Sequence, residues 1–291
     1  MKISVIVVTA RLGGFDVLVN SLRGQVGIDP GDWEIIVVDD WWDDRVGILE
    51  DCGIENVKHL KPRVNDYIDP CHANNLAYRH ACGELIVFFC DMEWAHPSFL
   101  AEHWNVYQKY PGYTLSGFLD RYPMPTLKTK INARNSKWSI FTEDFTQPVA
   151  TEHFLSHDPE YLERKGGAHG AQFGEYFEMP GEFVYFNVDS LPMAVLKDLN
   201  GLDERYDGGY GICDIDLGWR ANRIGWKFIA HNNAPTCKKL GMRDKLVTLP
   251  RKAKAETKSV DQLRAFYEAK RAAIQRGVET VSVPTGFGAW R

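Results

Sequence analysis

Acidic residues stand where buried strands of the N-terminal third would end. Asp39 and Asp40 close the second of three strongly apolar runs, and Asp91 and Glu93 follow the third. Two carboxylates two residues apart repel each other unless a cation or water separates them. Carboxylate oxygens suit a hard divalent ion such as Mg²⁺ or Mn²⁺, which takes further ligands from substrate phosphates. The spacing predicts a metal-assisted site for a phosphorylated substrate.

The runs that position these side chains are nearly continuously apolar. They are Ile3–Val8, Glu34–Asp39 and Leu85–Cys90. Continuous apolarity indicates strands covered on both faces, as in a parallel sheet between helices. The segments between the runs favour helices at Phe15–Gln25 and Ala73–Cys82, with Gly83 as a C-terminal cap. Ligands bind beyond the carboxyl ends of such strands, so Thr9 and Arg11 join the candidate site.

The second half of the chain is less regular. From about residue 120 to 181 the periodicity fades, as in a functional or mobile loop region. A regular pattern returns at 182–188. Helices are predicted near Leu191–Leu199, at Asp214–Ile224 and from about Ser259 to Arg276.

The sequence gives little support to several classes of protein. The chain lacks the P-loop and dinucleotide-binding glycine motifs. Its six cysteines form no C-x-x-C pair, which argues against a disulfide framework or a zinc site. No apolar stretch approaches the roughly 18 residues of a membrane span. We expect a cytoplasmic protein, either dispersed or peripheral at a membrane surface.

The net charge of −5 hides a split between the two ends of the chain. Residues 238–291 carry 13 Lys/Arg and 5 Asp/Glu, a net of +8, which leaves −13 for the remainder. Three interpretations of this basic segment stay open: a solvated surface, attraction to an anionic membrane, and attraction to nucleic acid.

Four blocks of sequence, in order, resemble the family 2 glycosyltransferases, which have the GT-A fold. They are SVIVVTARLGGFDVLVNSLRGQ, WEIIVVDDWWDD, NNLAYRHACGELIVFFCDMEWAHPSFL and LNGLDERYDGGYGICDIDLGWRANRIGW. The resemblance covers about Lys2 to Ala234. It implies an α/β, Rossmann-like and mostly parallel sheet flanked by helices, with a C-terminal helical extension.

The resemblance also implies a domain division. A glycosyltransferase domain would occupy 1–237, followed by a basic extension at 238–291. Within the domain, 1–119 would bind the nucleotide sugar. The half at 120–237, with its irregular loop at 120–181, would face the acceptor.

Roles follow from the resemblance position by position. The implied donor-binding residues are Thr9, Arg11, Asp39, Asp40, Trp41, Asn75 and Asp91. Asp91 and Glu93 would face the diphosphate and its Mn²⁺ or Mg²⁺, with His231 as a candidate further ligand. Asp214 would be the general base. The acceptor-side residues would be Asp216, Trp219 and Arg220.

The implied reaction moves a sugar from a nucleoside diphosphate sugar, most often a UDP-sugar, to an acceptor hydroxyl with inversion. The acceptor could be a glycan, a lipid-linked sugar or a hydroxylated DNA base. Four residues depart from the family pattern: Cys213 replaces a glutamate, Trp41 and Trp42 replace Gly-Ser/Thr, and Glu93 replaces an aspartate. A nucleotidyltransferase with the same metal site, or a non-catalytic carbohydrate-binding protein, therefore remains an alternative.

Overall fold

A computed structural model describes ten stretches of the chain: residues 1–10, 15–50, 52–91, 93–117, 119–122, 172–173, 176–183, 188–231, 237–240 and 254–283. Arg11 and most of the irregular region at 120–181 lie outside the described residues.

Strands and helices alternate through the first half of the chain. The strands are β1 (Ile3–Thr9), β2 (Trp33–Asp39), β3 (Val57–Leu60), β4 (Leu85–Phe88), β5 (Glu93–Ala95), β6 (Tyr113–Ser116), β7 (Leu119–Tyr122), β8 (Gln172–Phe173), β9 (Tyr176–Met179), β10 (Ser190–Pro192), β11 (Lys227–His231) and β12 (Cys237–Leu240). The helices are α1 (Phe15–Arg23), α2 (Trp42–Arg45), α3 (Pro70–His80), α4 (Phe99–Lys109), α5 (Met193–Asp198), α6 (Cys213–Arg223) and α7 (Val260–Gln275).

The central sheet has five strands in the order β10-β4-β1-β2-β3. Strands β4, β1, β2 and β3 are parallel, and β10 adds an antiparallel edge. Because the chain leaves β1 toward β2 on one side and returns to β4 on the other, the strand order reverses beside β1. A crevice at the carboxyl ends of the strands is expected at such a point.

Both faces of the central sheet are covered, as the continuous apolar runs predict. Val5 and Val7 of β1 pack into one hydrophobic cluster, with α1 and α4. Ile6 packs into a second cluster on the opposite face, where α3, α5 and α6 lie. The prediction of a mostly parallel sheet between helices is confirmed.

Two smaller sheets lie beside the central one. One has the order β6-β11-β9-β8 and the other β5-β12-β7. The regular pattern at 182–188 does not mark a strand over its described part, because residues 181–183 form a 3₁₀ turn and the next strand is β10. No helix among the described residues has the length and apolar character needed to cross a membrane.

The C-terminal segment is attached to the body of the protein at several points. Helix α7 begins with a capping box, in which Ser259 and Gln262 exchange side-chain and backbone hydrogen bonds. Its residues Leu263, Tyr267 and Ile274 are buried in the cluster shared with α3 and α6. Residues 254–258, which we call the strap, precede the helix and run between two loops of the body.

Gly83 does not cap a helix, because α3 already ends at His80. A Cβ atom at this position would lie 2.3 Å from the backbone nitrogen of Ser4. The glycine is needed because the chain passes directly against β1, and its amide donates a hydrogen bond to the Ser4 hydroxyl. The glycine that the sequence suggested as a helix cap is therefore required for a close approach of two backbones.

A second pair of glycines brings two backbones into contact. A Cβ atom at Gly218 of α6 would lie 2.0 Å from the carbonyl oxygen of Gly181. We expect Gly218→Ala to lower the free energy of unfolding by about 3 kcal/mol, since neither backbone can yield. Urea denaturation measures this loss. Gly31→Ala is the control, because its Cβ would have no neighbour nearer than 3.5 Å, and equal midpoints for both variants would contradict the prediction.

Candidate functional site

A pocket lies at the carboxyl ends of β1 and β2. Its volume is about 320 Å³, within the usual range for small-molecule sites. The lining residues come from β1 and β2, the start of α3, the loop before α6 and the strap: Val8, Thr9, Ala10, Val38, Asp40, Ile68, Asp69, Pro70, Ala73, Tyr210, Lys254 and Glu256.

Asp40 is the member of the aspartate pair that lines this pocket. Its Oδ1 lies 2.8 Å from the Nζ of Lys254, which also lies 2.8 Å from Oδ1 of Asp69. Burial raises the pKa of Asp40, and the charge of Lys254 opposes that rise. Burial also favours neutral Lys254, but its bonds to Asp40 and Asp69 outweigh this and raise its pKa.

Asp39 is fully buried and committed to the protein interior. Its carboxylate makes a bidentate ion pair with Arg45, accepts the backbone N–H of Trp41 at 2.8 Å, and lies 2.9 Å from the Nε2 of His59. These contacts fix the turn that carries Asp40. The sequence left the two aspartates equivalent, and the structure separates a turn-holding residue from a pocket-lining one.

Trp41 lies at the edge of the pocket, with its indole N–H donating to the carbonyl of Ala10 at 3.0 Å. Trp42 instead packs beside His59, whose carbonyl accepts its indole N–H at 3.2 Å. The two neighbouring tryptophans therefore have different surroundings, and only Trp41 touches a pocket-lining residue through its indole N–H.

Thr9 and Asp91 meet where the strand order reverses. The Thr9 hydroxyl donates a hydrogen bond of 2.9 Å to Oδ2 of Asp91, joining the ends of β1 and β4. Glu93 is fully buried, and its Oε2 accepts the backbone N–H of Cys90 at 2.9 Å. The carboxylates of Asp91 and Glu93 fit a hard cation as ligands, because such an ion needs one or two carboxylates and takes its other ligands from water and phosphate. Asp91 is the more accessible carboxylate.

The third predicted metal ligand, His231, lies in β11. His231 is the last residue of β11 and pairs in register with Tyr176, but its side chain lies outside what the structure describes. No group of three or more His, Cys, Asp and Glu side chains is placed to hold a metal ion among the described residues. The geometry thus brings Asp91 and Thr9 together and leaves His231 unassigned.

Asn75 lies in α3 but does not line the pocket. Its amide donates to the carbonyl of Leu202 at 2.9 Å and accepts the Leu202 N–H at 2.9 Å. It also donates to Glu204 at 3.1 Å. These bonds hold α3 to the loop that follows α5.

Asp214 is the second residue of α6, directly after a strained turn. Ile212 has φ of +68°, a conformation that a β-branched residue rarely adopts, and Gly208 and Gly211 are also left-handed. Strain of this kind is found where a fold must aim a functional side chain. Burial raises the pKa of Asp214 to about 6, against a smaller opposing hydrogen bond from the Ile215 N–H. A carboxylate with this pKa can accept a proton near neutral pH.

The three predicted acceptor-side residues are buried on α6. Asp216 and Arg220 are buried and bonded to each other at 2.7 Å, and Arg220 donates to the carbonyls of Leu199 and Gly201. Trp219 packs edge-on against Tyr267, with ring centroids 6.5 Å apart. Asp216 and Trp219 thus hold α6 against α7, through Lys270 and Tyr267, whereas Arg220 holds α6 to the loop after α5.

Sequence reasoning missed Asp69, Lys254 and Tyr210. Asp69 precedes the first-turn proline of α3, a pattern that marks the helix start but not its neighbours in space. Lys254 stands 214 residues after Asp40 in a segment that the family resemblance does not cover. No local pattern could have paired them.

These features together define a GT-A-like glycosyltransferase fold, and the fold class predicted from the sequence is confirmed. Structures of S. aureus TarS are among those that share it. TarS 1–349 in complex with UDP matches 83% of this chain with a TM-score of 0.52 and 16% identity. TarS 1–349 in complex with UDP-GlcNAc matches 84% with a TM-score of 0.51 and 16% identity.

The match to a further TarS crystal structure covers 83% of this chain and 37% of the TarS chain, with a TM-score of 0.50 and 18% identity. The two ligand complexes are covered over 61% and 60% of their length, so this chain spans less than two thirds of TarS 1–349. No protein-family model and no curated protein sequence matches the chain. The likeness at this identity is one of fold.

Proposed function

We propose that the protein is a glycosyltransferase that moves a sugar from a UDP-sugar to an acceptor hydroxyl, with inversion at the anomeric carbon. The observation that carries the proposal is a pocket at the carboxyl ends of β1 and β2, in a fold shared with a protein solved with UDP and UDP-GlcNAc. The donor would occupy this pocket. The chain's own residues then divide into donor-binding, diphosphate-facing and proton-accepting groups.

Asp40 and Asp69 would receive the nucleoside. Base N–H and ribose hydroxyl groups are hydrogen-bond donors, and ionised carboxylates are strong acceptors for them. Trp41, at the pocket edge, would pack on the base or sugar. Asp39 would act through the turn that it fixes.

The diphosphate would lie toward Asp91, beyond the ends of β1 and β4. A Mg²⁺ or Mn²⁺ ion held by Asp91, with Glu93 behind it, would offset the charge that develops on the departing diphosphate. The Thr9 hydroxyl orients the Asp91 carboxylate for this role through its hydrogen bond.

Asp214 would accept the proton of the acceptor hydroxyl as that oxygen attacks the anomeric carbon. An alcohol is a weak nucleophile until its proton is removed, so a carboxylate placed beside it lowers the barrier. The bond to the sugar forms as the bond to the diphosphate breaks, and the proton passes to Asp214. Attack from the face opposite the leaving group inverts the configuration.

A donor panel tests the proposal. The protein is incubated with UDP-, GDP- and TDP-sugars, with and without Mn²⁺ or Mg²⁺, and release of the nucleoside diphosphate is measured in the presence of glycan, lipid-linked and hydroxymethylated DNA acceptors. Metal-dependent release with a glycosylated product supports it. Pyrophosphate release from nucleoside triphosphates would point to a nucleotidyltransferase, and binding of sugar without any release would point to a carbohydrate-binding protein.

A further inference from the structure

The strap forms one wall of the pocket although it lies far along the chain. Ala255 donates its backbone N–H to the carbonyl of Asp66 at 2.7 Å and accepts the N–H of Ile68 at 3.2 Å. On its other side, Thr257 and Lys258 both donate backbone N–H groups to the carbonyl of Gly208. The strap is therefore held at both ends by backbone hydrogen bonds, and Lys254 is carried on an anchored segment.

Lys254 is the one cationic side chain among the described residues that line the pocket. The acidic groups there are Asp40, Asp69 and Glu256, and Asp39 lies directly behind Asp40. Tyr210 is the remaining titratable lining group. The pocket thus carries more negative than positive charge around a half-buried carboxylate.

Asp69 has partners of its own, but Asp40 depends on Lys254. The Oδ2 of Asp69 accepts hydrogen bonds from Arg63 at 3.1 Å and Asn65 at 2.6 Å. For Asp40, burial and the charges of Asp69 and Asp39 raise the pKa, and Lys254 supplies the opposing hydrogen bond and charge. Without Lys254, the neutral form of Asp40 would be favoured further.

We propose that Lys254 is a positioning residue of the donor pocket, which holds Asp40 as an ionised hydrogen-bond acceptor for an incoming nucleoside. The inference rests on the proposed function, since it assigns to that same pocket a determinant from outside the family-like region. An ionised carboxylate offers both oxygens as acceptors to base N–H and ribose hydroxyl donors, whereas protonation turns one of these oxygens into a donor. The strap therefore completes the nucleoside site.

Uridine and UDP are the probes, and isothermal titration of the whole chain is the measurement. Uridine carries no phosphate, so a direct attraction between Lys254 and the diphosphate would not affect it. We expect Lys254→Met to weaken uridine binding about tenfold, and by less at higher pH, since a rising pH favours the ionised form of Asp40 even without the lysine. Lys254→Arg should recover most of the affinity.

The Asp40→Asn background tests whether the lysine acts through Asp40. There Lys254→Met should cause no further loss. Lys61→Met is the matched control, because Lys61 is an exposed lysine paired with Asp43 outside the pocket lining. If the Met variant melts below the assay temperature, Lys254→Gln replaces it, since an amide still donates to a carboxylate without charge.

Each contrary outcome has a distinct meaning. Unchanged uridine affinity with weakened UDP affinity would make Lys254 a phosphate contact and overturn the inference. Tighter binding of uridine by Lys254→Met would mean that Lys254 competes with the ligand for the pocket. This result would also overturn the inference. If the unaltered protein binds neither uridine nor UDP, both the inference about Lys254 and the proposed function are wrong.

Discussion

Replacing Asp214 with asparagine is expected to lower the rate of sugar transfer about 10²- to 10⁴-fold and to leave UDP affinity unchanged. The amide keeps the size and the hydrogen bond to the Ile215 N–H but cannot take the acceptor's proton. Single-turnover transfer assays give the rate, and titration with UDP gives the affinity. In the unaltered protein, the rate should rise with pH through a midpoint near the Asp214 pKa of about 6.

Loss of the fold would not explain such a result. The pKa of Asp214 is raised from 3.8 to about 6 on folding, so its ionised form destabilises the folded state increasingly as the pH rises through that range. Asp214→Asn should therefore melt at the same temperature as the unaltered protein, or higher, at neutral pH. Asp261→Asn, in the exposed first turn of α7, is the matched control. Undiminished transfer by Asp214→Asn would remove Asp214 as the base.

Replacing Lys270 with methionine is expected to lower the free energy of unfolding by about 3–5 kcal/mol. The Lys270 side chain is 1% exposed, and its Nζ lies 2.8 Å from carboxylate oxygens of both Asp203 and Asp216. Methionine fills the space of the side chain but leaves two buried carboxylates without that cation. Denaturation in urea measures the loss.

The pH dependence of this loss identifies its cause. Burial raises the pKa of Asp203, but Arg205 and Lys270 outweigh it and lower the pKa to about 2. Stability from this group is present above pH 3.8 and is lost as the pH falls through about 2. The gap between Lys270→Met and the unaltered protein should therefore narrow over that range. Arg264→Met, exposed on the same helix, should change stability by less than about 0.5 kcal/mol, and an equal loss there would contradict the ion-pair explanation.

Sequence patterns predicted the central sheet well because its strands are buried on both faces. Such strands leave a nearly continuous apolar run, and β1, β2 and β4 coincide closely with the three runs. Helix α7 was also expected within a residue of its observed ends, and the structure adds a capping box of Ser259 and Gln262 at its start.

The partners of polar side chains could not be predicted in the same way. Nothing local separates Asp39 from Asp40, and the difference arises from Arg45 and His59 in the folded protein. Motif positions that imply ligand contact, such as Asn75 and Arg220, hold loops and helices together. A motif shows that a residue type is required at a position, and only the fold shows what it contacts.

The structure changes the interpretation of the basic C-terminal segment most. Its charge suggested an external anion, yet Lys254 and Lys270 are paired with carboxylates of the acidic body. Part of the +8 is thus balanced within the chain, and we expect these two lysines to add nothing to a salt-dependent affinity for DNA or membranes.

The touching backbones of Gly181 and Gly218 bear on how relatives of this chain can be recognised. At 16–18% identity to TarS, few side chains remain in common, whereas a contact between main-chain atoms constrains the residues on both sides of it. A homologue that keeps α6 against the 3₁₀ turn at 181–183 must keep glycine at both positions, since a Cβ at either one would meet a carbonyl oxygen about 2 Å away. Two glycines 37 positions apart, the second four residues after the candidate base, are a sequence filter that tolerates wide divergence elsewhere.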